Sequence, residues 1–370
     1  MIKKTKIILL ILTAISYIGC KKSNIETTQE EPLNIILMVG DGMGLAQIST
    51  AFYFGEDTPN FEQFKNIGFI KTPSTSHTIT DSAAGATAFS TGEKTYKRAI
   101  GMSKDSLPLP TILETLQKED YQTGLVSLTP ITHATPAAFY AHVKDRDLHE
   151  DIALDFIKSN VDFFAGGGLK HFKRRTDKQD LYSELLAKNY KLDSVKLSKF
   201  NINKKNGYLL AEEGLPSKTE GRNSFLQDAT QLGLDYFTEK GKPFFFMIEG
   251  SYIDWGGHAM DAELLKQEVL DFDKTIGVVL KYVKKHPNTL LIVTADHETG
   301  GVSIGKSYVI DEETGERSEE ADSVSINFNN DQHSGTLIPV FAKGKDSERF
   351  QGIYENNEIY HKILNAIHHK

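Results

Sequence analysis

Five short apolar runs recur along the chain: NIILMVG (34–40), TGLVSLT (123–129), FFFMIEG (244–250), TLLIVTAD (289–296) and LIPVFAKG (337–344). Each is rich in β-branched or aromatic residues and ends in glycine, aspartate or threonine. Their apolar character is continuous rather than alternating, as a strand covered on both faces requires. Between them the period lengthens to that of helices. PTILETLQKE opens with the capping-box pair Thr111 and Glu114. A second helix is capped by Asp261 and stopped by Pro287, with lysines in its last turn where they complement the helix dipole. The alanine-rich segment after TITDS predicts a helix over 83–89, with Asp81 and Ser82 near its N-terminus. Strands alternating with helices predict an α/β fold, a three-layer α/β/α sandwich on a large, mostly parallel central sheet.

Two stretches break this rhythm. Residues 170–224 are lysine-rich and weakly periodic, and 306–331 carry the acidic run DEETGERSEEAD; both read as insertions at the rim of the sheet. At the N-terminus, three lysines precede an apolar run that ends at Cys20, the only cysteine. Residues 1–19 therefore read as a secretion signal, and Cys20 looks like the acylated cysteine of bacterial lipoproteins. Residues 20–32 are polar and read as a tether, which leaves 33–370 as a single folded domain. The expected location is the bacterial cell envelope, lipid-anchored and facing the periplasm or outer membrane. With 370 residues, 39% hydrophobic and 25% charged, the chain has ample material for a core. Its net charge of −8 and the lack of a basic stripe argue against a nucleic-acid partner.

In an open parallel sheet, ligands bind beyond the carboxyl ends of the strands. There the sequence places Asp41 after the first run, His133 and Thr135 after the second, and Glu249, Asp254 and His258 after the third. Asp296 and His297 follow the fourth, and His333 stands just before the fifth. A lone aspartate after a strand is commonly a cap, and a lone histidine is commonly structural; the joint placement carries the argument. Asp, Glu and His without Cys form a ligand set for zinc or harder divalent ions, with enough groups for two or three. Without cations, so many carboxylates would repel one another and lose hydration. Ser82, a poor nucleophile at its free pKa, would gain its activation from such an ion. Two ions about 4 Å apart could stabilise both the attacking and the leaving oxygen of an in-line displacement at phosphorus. Arg146 supplies a fork for two phosphate oxygens.

The blocks DGMG, TDSAAGATAFSTG, ATPAAFYAHVKDR, EGSYIDWGGH, VTADHETGG and DQHSG resemble, in order and spacing, those of the alkaline phosphatase family. The resemblance implies hydrolysis of phosphate monoesters, with Ser82 as the nucleophile that becomes phosphorylated, Arg146 binding the phosphoryl group and Asp81 orienting Arg146. It implies one zinc ion on Asp254, His258 and His333 and a second on Asp41, Asp296 and His297. A third ion, usually magnesium, would lie on Asp41, Thr135 and Glu249. His133 stands where the best-known enterobacterial pattern has an aspartate, which makes the third site less anionic and leaves its ion open. Trp255 stands where that pattern has a lysine and offers substrate an apolar face. Relatives are often homodimers, an analogy that leaves the oligomeric state of this chain open.

Rival motifs fail on context. GVSIG (301–305) fits the G-x-S-x-G nucleophile elbow, which needs a helix after the turn; a β-like run and an acidic, glycine-broken stretch follow instead. In VGDGMG, Leu45 takes the place of the third glycine of a dinucleotide site. A sulfatase would need a C/S-x-P-x-R context that DSAAG lacks. A phosphodiesterase of the same superfamily and a lipoprotein that binds phosphate or metal without turnover are the alternatives to the monoesterase.

Overall fold

The five apolar runs become strands in the interior of one sheet. In the computed structural model, which describes residues 32–368, the strands in chain order are β1 (Asn34–Gly40), β2 (Asn66–Lys71), β3 (Gln122–Pro130), β4 (Phe163–Gly167), β5 (Tyr190–Asp193), β6 (Lys205–Leu209) and β7 (Phe244–Gly250). They continue with β8 (Thr289–Thr294), β9 (Glu298–Thr299), β10 (Ser303–Ile310), β11 (Arg317–Asn327), β12 (His333–Ser334), β13 (Ile338–Gly344) and β14 (Gly352–Glu355). Ten of them form the central sheet, in the order β14-β2-β13-β8-β1-β7-β3-β4-β6-β5. All neighbours in it are parallel except where β13 meets β8 and β2, so β13 alone runs in the opposite direction. The expectations for residues 1–31, Cys20 among them, lie outside the described residues.

Every residue of β3, β7 and β8 is buried, which requires cover on both faces. Two groups of helices supply it. Leu45–Phe54, Phe225–Lys240, Tyr252–His258 and Ala262–Lys285 pack among themselves, as do Ser82–Thr91, Ile112–Lys118, Ala134–Ala137 and Glu358–Ile367. The α/β architecture read from the sequence is the one observed. The helix caps hold as well: Thr111 and Glu114 form both halves of the capping box, and Asp261 accepts from the N–H groups of Glu263 and Leu264.

The segment 170–224 contributes β5 and β6, the last two strands at one edge of the sheet. The segment 306–331 lies in and beyond the antiparallel hairpin β10–β11, which begins at Ser303, is mostly exposed and is separate from the main sheet. Ser303 of GVSIG begins β10 and leads into this hairpin rather than a helix, so the nucleophile elbow is absent. Among the described residues no helix is long and apolar enough to cross a membrane.

Candidate active site

The strand order β8-β1-β7-β3 sets four carboxyl ends side by side, and neighbouring strands lie about 4.8 Å apart. Asp41 follows β1, Asp296 and His297 follow β8, Glu249 is the penultimate residue of β7, and His133 and Thr135 come just after β3. Asp254 and His258 lie on the helix that starts two residues beyond β7. The chain turns sharply after Asp41 at Gly42 (φ 71°), where a β-carbon would come within 2.7 Å of the Asp254 Cα.

Side-chain oxygens and nitrogens converge in three groups, Asp41 with Asp296 and His297, Asp254 with His297 and His333, and Asp41 with His133 and Glu249; within each the ligating atoms lie within 4.8 Å of one another. His258 joins the second group, its Nε2 being 3.4 Å from Asp254 Oδ1 and 3.1 Å from His333 Nε2. The sequence partition put His297 in one group only. The structure sets its Nε2 3.3 Å from Asp296 Oδ2 and 3.5 Å from Asp41 Oδ1 and stacks its ring on His333, so it borders both.

These residues fit divalent ions on four counts. His333 Nδ1 donates to the Thr80 carbonyl at 2.9 Å and His258 Nδ1 to that of Asp331 at 2.6 Å, which leaves each Nε2 lone pair facing inward, the usual orientation of a ligating histidine. Buried Asp296 Oδ2, Glu249 Oε1 and Thr135 Oγ1 make no hydrogen bond of good geometry among the described residues, an arrangement that is costly unless something else satisfies them. Burial raises the pKa of Asp41 well above the usual carboxylate range, and the charges of Asp296, Asp254 and Glu249 push it further; burial likewise raises Asp296 and Glu249. Burial also holds His297 and His133 well below the usual histidine range, so both rings are neutral and able to ligate.

Ser82 is the first residue of helix Ser82–Thr91. Asp81 caps that helix by accepting the Ala84 N–H at 3.2 Å. Ser82 Oγ lies 3.2 Å from His297 Nε2 and 3.4 Å from Asp41 Oδ1, on the border of the first group. Gly85 allows this approach, since a β-carbon there would meet Asp296 Cβ at 2.9 Å. Arg146 Nη1 is 3.3 Å from Asp81 Oδ2 and its Nη2 3.3 Å from His133 Nε2, so its guanidinium is held beside the serine. Trp255 is 44% exposed with its ring against Tyr252, at 4.3 Å between centroids. The candidate ligands, Ser82, Asp81 and Arg146 singled out from the sequence therefore meet in this region, and Trp255 follows Asp254 on the same helix.

The sequence reading missed the residues behind these groups. Glu249 Oε2 accepts Ser251 Oγ at 2.6 Å and Ser127 Oγ at 2.8 Å, and Thr299 Oγ1 donates to Asp254 Oδ1 at 2.5 Å. Ser127 had a legible signal, as a hydroxyl in an otherwise apolar buried run. Thr299 and Ser251 had none beyond nearness to a ligand.

A sequence model of the family described as alkaline phosphatase matches residues 33–331. Alkaline phosphatase 3 of Bacillus subtilis (strain 168) is 30% identical, over 94% of this chain and 90% of its own length. Alkaline phosphatase 4 of the same organism is 35% identical over 77% of this chain, which spans 65% of that relative. Among solved structures, a histidine-to-aspartate mutant of TAB5 alkaline phosphatase with Mg bound in the M3 site superposes with a TM-score of 0.89. It is 48% identical to this chain, and the match covers 91% of this chain and 98% of that one; TAB5 is an Antarctic bacterium.

Proposed function

Because the chain belongs to the alkaline phosphatase family, we propose that it hydrolyses phosphate monoesters through a phosphoserine formed on Ser82, with two zinc ions and one magnesium ion. The observation that carries this reading is the position of Ser82 Oγ, 3.2 Å from His297 Nε2 and 3.4 Å from Asp41 Oδ1, with the Arg146 guanidinium anchored beside it through Asp81. Asp254, His258 and His333 would hold one zinc ion, and Asp41, Asp296 and His297 the other; imidazole nitrogen with carboxylate is a zinc donor set. Asp41, Glu249 and Thr135 offer only oxygen, which suits magnesium, with His133 at the border. A TAB5 alkaline phosphatase mutant with aspartate in place of a histidine binds Mg in its M3 site; this chain keeps His133 in its third group, so elemental analysis decides between magnesium and zinc there. When bound, the ions neutralise the crowded carboxylates and stabilise negative charge on the attacking and leaving oxygens.

The chain's own groups do the rest. Arg146 binds two non-bridging oxygens of the phosphoryl group through its fork, and Asp81 and His133 fix the plane of that fork. The N-terminus of helix Ser82–Thr91 presents unpaired N–H groups to the same anion. Ser82 Oγ attacks phosphorus as the bond to the leaving alcohol breaks, and that alcohol departs with a proton. Water then cleaves the Oγ–P bond, which releases inorganic phosphate and returns the serine hydroxyl. Trp255 follows Asp254 on the same helix and is exposed, so it would offer an apolar face to the substrate beside the ligands around Asp254.

The direct test is hydrolysis of p-nitrophenyl phosphate at alkaline pH. Activity should vanish on chelation and return with zinc plus magnesium. No turnover by a fully loaded protein would identify a binding protein instead, and a rate higher on a diester such as bis-p-nitrophenyl phosphate would identify a phosphodiesterase.

The raised carboxyl pKa values of Asp41, Glu249 and Asp296 also set a pH dependence. Without ions the folded state binds more protons at these groups than the unfolded state does. Its stability is therefore complete below the ordinary carboxylate range and is lost as pH rises through the folded-state pKa values. The depressed His133 and His297 act in the opposite sense, but they are neutral in the loaded protein as well and cancel in a comparison. Ions compete with protons for the carboxylates. The melting temperature of the loaded protein should thus exceed that of the chelated protein by a margin that widens between pH 5 and pH 8. A constant or shrinking margin would remove these carboxylates from the ion sites.

A further inference from the structure

Arg98 belongs to none of the motifs above, yet its geometry connects two of them. It is one of the few non-glycine residues with a left-handed backbone (φ 75°), a conformation unfavourable for a residue with a β-carbon. That conformation lets it face two ways. Its backbone N–H reaches both oxygens of the Asp81 carboxylate, at 3.1 and 3.2 Å. Its guanidinium makes two parallel bonds to Asp145, Nε to Oδ2 at 2.9 Å and Nη2 to Oδ1 at 2.7 Å, and also pairs with Asp147. Asp145 and Asp147 are the chain neighbours of Arg146, whose own guanidinium bonds to Asp81.

We propose that Arg98 is a positioning residue for phosphate recognition. Its backbone fixes the carboxylate that orients the Arg146 head, and its side chain fixes the two residues that carry the Arg146 backbone. The turn is already preset, because the Asp147 N–H donates to Asp145 Oδ1 at 2.9 Å. The bonds from Arg98 hold the Asp145 carboxyl at a pKa of about 2, so the clamp stays charged across the working pH range. Arg98, Asp145 and Asp147 have side chains 45%, 41% and 72% exposed, and ion pairs as exposed as these contribute little to global stability. What they supply is register: a guanidinium displaced by about 1 Å can cost as much as a hundredfold in a recognition step.

The inference rests on the reading of Arg146 as the phosphoryl-binding group, and the test separates the two. In Arg98→Met, which keeps the stem and loses the fork, KM for p-nitrophenyl phosphate and the inhibition constant of inorganic phosphate should both rise about tenfold, with ion content and melting temperature nearly unchanged. Arg98→Lys, which keeps the charge without the bidentate geometry, should recover only part of the loss. In an Arg146→Ala background, Arg98→Met should add nothing further. If Arg146→Ala weakens phosphate inhibition but Arg98→Met does not, the positioning role is refuted and the reading of Arg146 stands. Equal losses from Arg98→Met in both backgrounds would also refute it. If Arg146→Ala itself leaves phosphate inhibition unchanged, the reading on which the inference rests fails first.

Discussion

Ser82→Ala is expected to lower hydrolysis of p-nitrophenyl phosphate by at least about a thousandfold while leaving the ion content of the purified protein unchanged. The size of the loss follows from the serine having no substitute. Among the described residues, no other hydroxyl stands both at the N-terminus of helix Ser82–Thr91 and against the Asp41, Asp296 and His297 group. The ions should stay because the four carboxylates and four imidazoles around the centre remain in place. Folding should hold as well: Asp81 still caps the helix, and alanine suits its first turn. A variant with near-normal rates would exclude Ser82 as the nucleophile, and one that lost its ions would make Ser82 a ligand first.

The opposite pattern is expected of Asp41→Asn. Asp41 is shared by two of the three ligand groups, so its loss weakens two ions at once. Removing a partner that merely supports a ligand already costs 10–100-fold in affinity or activity; a shared ligand should exceed that, with activity down by more than about a hundredfold and elemental analysis short at two sites. A second consequence separates catalysis from stability. The carboxyl of Asp41 is raised by burial and by three neighbouring carboxylates, so the metal-free fold bears its deprotonation at a cost. Chelated Asp41→Asn should then melt no lower than chelated wild type at pH 8, although it is inactive. If it melted well below, Asp41 would be holding the fold together by hydrogen bonding, and the crowding argument would fail.

The sequence revealed most where a residue's chemistry and its burial were in conflict. An acid or histidine at the end of an apolar run has a reason to be there, and the runs that became β1, β3, β7, β8 and β13 each delivered a residue to the site. The capping residues Thr111 and Asp261 were equally plain, because a cap is a local event. The edge strands β2, β4, β5, β6 and β14 were not visible. They are short, four of the five contain glycine, and their strand character comes from neighbours distant in sequence. Arg98 and Thr299 escaped for a related reason. Their contacts span 47 and 45 positions of chain, and no local pattern announces such pairs.

The reversal of β13 has a consequence for the order in which the molecule can be completed. A strand entering the sheet head-down brings the residue before it, His333, to the edge where the other strands finish. That histidine emerges from the ribosome after every other ligand, and β13 is also the strand that joins β2, made early, to β8, made late. A partly synthesised chain thus has neither a finished cage for its cations nor a closed sheet, so chemical competence arrives together with the last stage of folding.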